Sequence, residues 1–448
     1  MTDLELETFF EYLRFLSISA KPEHRGDSQA CASWLAELLN SWGLTAERHE
    51  TRGAPVVVAR TSTIPEARTV LLYGHYDVQP VEPLELWQSP PFEPAVREGF
   101  IYARGATDNK GQTFSHLIGL RRLLERGPLP VNLIILLEGE EEVGSPNLGE
   151  FLRTHREELA CDVALISDTS MVEPGWPALT LGLRGIACFE VGIQGPKADL
   201  HSGMFGGATP NPAHALARIL ATLHDDTGRI AIPGIYDEVL PVPELERSSW
   251  SELPWNEGWF AATTGAPTIG GEINVPVLER VWAQPTAEIN GLTSGHQGAG
   301  SKTIIPASAS AKLSFRLAPR QDPERIAALV TNWFESQFAK SGLRGTVTFD
   351  HGGEPFYTPP DDPFIRAAMT ALEEIFGRRP ALTREGLSIP VAAMLQQELQ
   401  VPVVLAGLGL PDCAAHSPNE SYPVAHLDLG ARLFAALMDG FAKVPSKK

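Results

Sequence analysis

The sequence predicts an α/β protein: a mainly parallel sheet covered by helices, interrupted by a smaller α+β insertion. Short, continuous apolar runs alternate with amphipathic helical stretches in the first third, and the pattern returns near the end. Strands buried on both faces read this way, because helices cover both sides of a parallel sheet. In the middle of the chain the strands change character. Apolar and polar residues alternate there, as in a sheet with one wet face.

Each element has its own signal. Residues 28 to 42 place Trp34, Leu35, Leu38, Leu39 and Trp42 on one helical face, with Asp27 or Ser28 as N-cap and Gly43 at the stop. "TVLLY" (69–73) reads as a buried strand, "QTFSHLIGLRRLLERGP" (112–128) as a helix closed by Gly127 and Pro128. "VNLIILL" (131–137) and "VALIS" (163–167) are further buried strands. "RGIACFEVGIQG" (184–195) and "SASAKLSFRLAP" (308–319) alternate. In the second, Ala311, Leu313, Phe315 and Leu317 share one face, Lys312, Ser314 and Arg316 the other. A helix near 211–223 lies between them, followed by a Gly-, Pro- and Trp-rich stretch, 231–300, with no readable period. "VPVVLAGLG" (401–409) is again a buried strand, and an amphipathic helix runs from about 426 to 441. Two domains follow: a discontinuous one from 1–183 plus 351–448, and an insertion at 184–350.

Bulk properties narrow the function classes. The length of 448 residues exceeds one ordinary core. Hydrophobic content of 43% and charged content of 20% fit a soluble globular protein. A formal charge of -19 leaves no basic excess to meet phosphates, so no nucleic-acid partner is expected. No apolar run reaches bilayer length, and "MTDLELETFF" carries acids where a signal peptide carries Lys or Arg; a cytoplasmic protein without membrane attachment is expected. Cys31, Cys161, Cys188 and Cys413 are scattered, which indicates neither a disulfide framework nor a thiolate zinc site.

The chemistry gathers after the buried strands. His75 and Asp77 follow the first, Glu138, Glu140, Glu141 and Glu142 the second, Asp168 the third, and His416 follows the last. Asp108, in "GATDNKG", precedes the 112–128 helix. Ligands of open α/β sheets bind outside the carboxyl ends of the strands. Taken singly, each residue has a plain structural reading. His75 and Asp77 suit a hydrogen-bonded pair, the Glu run a solvated turn, Asp108 a helix N-cap, Asp168 an Asx turn, His416 a loop histidine. Together, two His and at least three carboxylates form a ligand set suited to Zn²⁺ or Mn²⁺ without cysteine. In a dinuclear site one carboxylate bridges, and each ion takes one His and one further acid. Asp77, two residues from His75 on an extended segment, can steady the imidazole ring. A Glu beside a ligating Glu can move the proton of a metal-activated water to a leaving amine, as amide hydrolysis requires. Rival chemistries are weaker. No G-x-S-x-G elbow follows a strand, Cys413 reads as a small buried residue, and "GAGSK" (298–302) lacks the Walker spacing.

These motifs resemble the dinuclear zinc/manganese metallopeptidases of family 20, which include carnosinases, cytosolic nonspecific dipeptidases, aminoacylases and succinyl-diaminopimelate desuccinylase. "GHYDVQP", "GATDNKG", "EGEEEVGS", "ISD" and "AHSPNE" carry the resemblance over almost the whole chain, and "DVQP" leans to the dipeptidase branch. The resemblance implies two divalent ions per subunit, Zn or Mn. His75 and Asp168 would hold one ion, Glu142 and His416 the other, and Asp108 would bridge. Glu141 would be the general base and Asp77 the orienter of His75, although the Glu140–Glu142 triple allows a one-residue shift. Substrate contacts would be His201 of "DLHSG", Thr303 of "KTIIP", Arg316 of "SFRL" and Ser388 of "REGLSIP", where relatives commonly carry Gly in place of Leu387. The insertion would be a lid and dimerisation domain, giving a homodimer in which His201 reaches its own or the partner's site.

The resulting expectation is hydrolysis of dipeptides or short peptides with a free carboxylate. The alternative is an N-acyl or N-carbamoyl amino-acid amidohydrolase using the same site. A non-catalytic peptide-binding protein is disfavoured by the complete ligand set.

Overall fold

The computed structural model describes residues 1–268, 270–386 and 389–445. The chain forms two compact units. The first comprises Met1–Leu181, Thr358–Thr383 and Pro390–Lys448, the second Gly182–Tyr357 with Arg384–Ile389.

The first unit is built on a twisted sheet. Its spatial order is Thr45–His49, Val56–Arg60, Asn132–Glu138, Thr69–His75, Val163–Ile166, Val403–Leu405, Ala178–Leu183, with Ala381–Glu385 paired beside the last. The central strands are parallel: Thr69–His75 pairs with Asn132–Glu138 on one side and Val163–Ile166 on the other, and Val403–Leu405 adds beyond. Antiparallel partners flank them. Val70, Leu71, Leu72, Ile135, Leu136, Val163, Ala164 and Leu165 are all fully buried, which explains why these strands show no alternation. Helices Arg25–Ser41, Lys110–Arg126, Pro363–Phe376 and Val424–Ala442 supply the covering layers.

The strand order sets the location of the site. From Thr69–His75 the chain passes to a neighbour on one side; from Val163–Ile166 it passes to a strand on the other side. The connections therefore diverge between these two strands, and in open α/β sheets ligands bind outside the carboxyl ends at such a point. His75 ends the first of them and Asp168 follows the second.

Helix starts differ from the sequence reading. The helix expected at residue 28 begins at Arg25, and neither Asp27 nor Ser28 caps it. Both lie in its first turn, where Asp27 Oδ2 sits 2.8 Å from His24 Nδ1 and the Ser28 hydroxyl donates to the His24 carbonyl at 3.3 Å. The helix expected at 112–128 spans Lys110–Arg126, with Asn109 at its N-cap position. Lys110 is fully buried, and its ammonium donates to the Tyr12 and Phe15 carbonyls at 3.2 and 3.0 Å. It thereby bonds carbonyls in the last turn of the Asp3–Leu13 helix and just after it.

The second unit holds a four-stranded antiparallel sheet ordered Thr286–Ser294, Ser308–Leu317, Gly185–Gln194, Arg344–Gly353. Its inner face carries Ala187, Phe189, Val191 and Ile193 against Ala311, Leu313 and Phe315. Leu216, Ile219 and Leu220 from helix Pro212–Ala221, and Ile326, Val330 and Phe334 from helix Pro323–Ser341, close over them. The Trp-rich stretch that sequence reasoning could not parse contains helices Glu244–Ser251, Glu257–Thr264 and Val277–Trp282. Aromatic contact organises them: Trp282 packs edge-on against Trp250 and Trp255 at 5.2 and 5.7 Å. No helix among the described residues is long and apolar enough to cross a membrane.

Candidate metal centre

Five predicted ligands converge in the first unit. His75 Nε2 lies 3.2 Å from Asp108 Oδ1 and 3.6 Å from Asp168 Oδ2. His416 Nε2 lies 2.8 Å from Asp108 Oδ2 and 3.3 Å from Glu142 Oε2. Two triads result, His75–Asp108–Asp168 and Asp108–Glu142–His416, and Asp108 gives one oxygen to each.

Each candidate ligand is delivered by local structure. His75 is the last residue of its strand and is fully buried. Asp108 ends the loop before the Lys110–Arg126 helix; the cap position falls to Asn109, so the Asp108 side chain is not spent on capping. Asn109 donates through Nδ2 to the Ser167 carbonyl at 2.6 Å and to Asp168 Oδ1 at 2.8 Å. Glu141 and Glu142 lie in a single turn of 3₁₀ helix, Glu141–Val143, closed by Gly144 at φ 86°. His416 itself adopts φ 59°. A non-glycine residue held there carries backbone strain, which concentrates at functional sites.

Asp77 is not among the converging ligand atoms. Its carboxylate is fully buried, with Oδ1 3.3 Å from His75 Nδ1, a nitrogen whose hydrogen bond goes to the Asp77 backbone carbonyl at 3.1 Å. The same carboxylate accepts the Glu141 N–H at 3.2 Å and the Glu142 N–H at 3.1 Å. One side chain thus meets the imidazole of one triad and the turn that carries the other. Glu140 faces elsewhere and accepts from Asn147 Nδ2 at 2.8 Å.

The donor set fits divalent metal. Ligands at tetrahedral zinc distances lie about 3.3 Å from one another, and the four separations within the triads bracket that spacing. Among the described residues, His75 Nε2 and Glu142 Oε1 are buried without a hydrogen-bond partner of acceptable geometry. Electrostatics point the same way. Burial opposes the Asp108 charge, but the neighbouring His416 and His75 imidazoles hold its carboxyl well below the usual range. Burial pushes Glu141 up to about 8; His75 opposes, while Asp168, Glu142 and Asp77 add to the rise. Hydrogen bonds to Asp108 and Glu142 lift His416 to about 10 despite burial. A dense set of carboxylates sharing two imidazoles is suited to neutralisation by cations.

Sequence reasoning passed over Gln79, Asn109 and Glu420. Gln79 Nε2 donates to Glu142 Oε2 at 2.7 Å. Each stands within one of the motifs, in "DVQP", "TDNKG" or "SPNE", but no spacing rule marks it.

The predicted substrate contacts His201, Thr303 and Arg316 belong to the second unit. His201 is exposed; its Nδ1 accepts the Gly203 N–H at 3.0 Å. The short strand Leu200–His201 pairs with Ile304–Ile305, and Ser202 N–H donates to the Thr303 carbonyl at 3.0 Å. His201 and Thr303 therefore share one loop cluster. Arg316 lies on the outer face of its strand, opposite Thr286 and Ile186. Ser388 and the neighbouring Leu387 lie outside the described residues.

Comparison with known proteins gives a consistent result. The model of Peptidase family M20/M25/M40 matches residues 71–440. The Cys-Gly metallodipeptidase of Candida albicans is 34% identical over 396 residues, covering 87% of this chain and 82% of that protein. Human Beta-Ala-His dipeptidase is 34% identical over 388 residues, covering 85% and 76%. Among solved structures, an M20 family metallo-carboxypeptidase from Sulfolobus solfataricus aligns with a TM-score of 0.81 at 31% identity, covering 98% of this chain and all of the other.

Proposed function

Because the chain belongs to Peptidase family M20/M25/M40 and is a metallopeptidase-type hydrolase, we propose that it hydrolyses dipeptides at a dinuclear centre formed by His75, Asp108, Glu142, Asp168 and His416. The observation that carries this reading is the pair of triads sharing Asp108. The named relatives act on dipeptides, Cys-Gly and Beta-Ala-His, which sets the substrate class.

Two divalent ions, Zn or Mn, would supply Lewis-acid polarisation of the scissile carbonyl and acidify a water. Glu141 takes the proton of the attacking water. The water oxygen forms a C–O bond to the carbonyl carbon, and the C–N bond breaks as the resulting tetrahedral adduct collapses and Glu141 returns the proton to the departing amine. A base raised toward neutrality by burial is matched to both transfers. Asp77 holds the His75 ring and the Glu141–Glu142 turn in register.

Arg316 receives the free carboxylate of the substrate. Support comes from its neighbour: burial and the charge of Arg316 pull Arg184 down to about 10, against the pull of Glu288. A buried guanidinium beside a second one is a receptive setting for an anion. His201 steadies the developing oxyanion, and Thr303 and Ser388 complete the contacts. The 184–350 region serves as lid and homodimer surface, and the enzyme works in the cytoplasm. The same site would serve an N-acyl amino-acid hydrolase; the dipeptidase names of the relatives favour the peptide reading.

Glu141→Gln combined with metal analysis and a substrate panel tests this. The wild type should carry two ions and prefer dipeptides over N-acetyl and N-succinyl amino acids. The variant should keep both ions and lose about 10²- to 10⁴-fold in kcat, the usual worth of a general base. Full activity in the variant would exclude Glu141 as the base, and preference for N-acyl substrates would exclude the dipeptidase reading.

A further inference from the structure

Four residues after His416, Glu420 is completely buried in the first unit. Its carboxylate is saturated by donors from a distant loop. Oε2 accepts from Arg104 Nη1 at 2.8 Å and from the Gly105 N–H at 2.9 Å. Oε1 accepts the Thr107 N–H at 2.7 Å and the Asp108 N–H at 2.9 Å. In the 105–108 loop only Ala106 finds a backbone partner for its N–H, the Ala103 carbonyl at 3.2 Å. The loop has no ladder or helix to satisfy it, and buried N–H groups must be paired. Glu420 satisfies the rest.

The surroundings extend the connection. Arg104 is buried to 1% exposure and donates through Nη2 to the Pro80 carbonyl at 3.1 Å, in the segment that follows His75 and Asp77. The Thr107 hydroxyl donates to the Ser421 carbonyl at 2.5 Å, and Ser421 N–H returns to the Cys413 carbonyl at 2.9 Å, on the His416 loop. The Ser421–Pro423 strand then pairs with Phe100–Tyr102. Loops bearing His75, Asp108 and His416 thus meet at one buried ion pair.

We propose that Glu420, paired with Arg104, is a positioning residue that fixes the Asp108 backbone so that its carboxylate can serve both metal triads at once. A buried ion pair contributes little net stability, since desolvation offsets much of the attraction. What it does contribute here is geometry. The Asp108 N–H is anchored to the same side chain that anchors the chain leaving His416, so the two residues of the second triad keep their separation. Because Asp108 belongs to both triads, disturbing Glu420 weakens both ions together, whereas a ligand private to one triad would weaken one.

This inference rests on the dinuclear reading, and the test separates the two. Metal-loaded wild type, Glu420→Gln and Arg104→Lys are challenged with graded chelator, and retained ions are counted alongside thermal unfolding and near-UV circular dichroism. Gln keeps the size of Glu but turns an N–H₂ toward backbone donors. A wild type that never holds two ions defeats the dinuclear reading itself. With two ions in the wild type, Glu420→Gln should release both at about 10- to 100-fold lower chelator concentration, the usual cost of losing a ligand's support, while its dichroism remains native. Arg104→Lys should shift in the same direction, and it decides the matter if Glu420→Gln does not fold. Retention equal to wild type in the folded variant, or loss of a single ion only, overturns the proposal.

Discussion

Asp77→Asn is the sharpest probe of how the centre is held. The carboxylate is fully buried and makes three polar contacts: His75 Nδ1 at 3.3 Å, Glu141 N–H at 3.2 Å and Glu142 N–H at 3.1 Å. Asn preserves the shape but keeps one acceptor. Oδ1 serves two of the contacts, so the retained carbonyl should take its place. The new N–H₂ then faces the Glu142 N–H, donor against donor. One charge-assisted hydrogen bond is lost, worth about 1.5 to 3 kcal/mol in general. The observed distances sit at the long end of the N–H···O range, which selects the lower part, about 1.5 to 2 kcal/mol. At about 1.4 kcal/mol per decade this is a 10- to 30-fold loss of affinity. The loss should fall first on the Asp108–Glu142–His416 triad, because the turn carrying Glu142 is what loosens. Stepwise chelator extraction with ion counting measures it. Affinities within twofold of wild type at both positions would refute the reasoning, as would selective loss from the His75 triad.

Two predictions concern stability. Arg122 clasps Glu5 through Nε at 2.8 Å and Nη2 at 2.9 Å, and that bond, with Thr2 assisting against burial, lowers Glu5 from 4.5 to about 2. A depressed carboxylate stabilises the fold fully above its unfolded value and loses that contribution as pH falls through the folded one. The melting temperature of wild type should therefore exceed that of Arg122→Gln most clearly above pH 4.5 and the gap should close toward pH 2; a constant gap would contradict the assignment. In the second unit, Glu246 is fully buried and accepts Arg384 Nε at 2.7 Å, Arg384 Nη2 at 2.8 Å and the Tyr357 hydroxyl at 2.6 Å. Glu246→Ala strands the Arg384 charge, so unfolding by denaturant should show a loss of about 3 to 5 kcal/mol; a change below 1 kcal/mol would mean that solvent reaches Arg384.

The parallel sheet was legible because its strands are buried on both faces, and continuous apolar runs have few other readings. The alternating strand at 308–317 was legible for the opposite reason. The helix starts at Arg25 and Lys110 were not, because neither is set by a capping side chain. The Trp-rich stretch was opaque since its helices are ordered by ring contacts between distant residues rather than by a period.

The site divides along the same line. Sequence by itself determined which residue types stand at the strand ends, because a strand's end is a local property. It named His75, Asp108, Glu142, Asp168 and His416 as candidates and placed Asp77 beside His75. Only the tertiary structure decided that Asp108 presents one oxygen to each histidine. Only it showed that Asp77 reaches the Glu141–Glu142 turn, and that Glu420 holds the Asp108 loop from 312 residues away. Those contacts join segments far apart in the chain, where spacing carries no information and three-dimensional closure alone brings donor to acceptor.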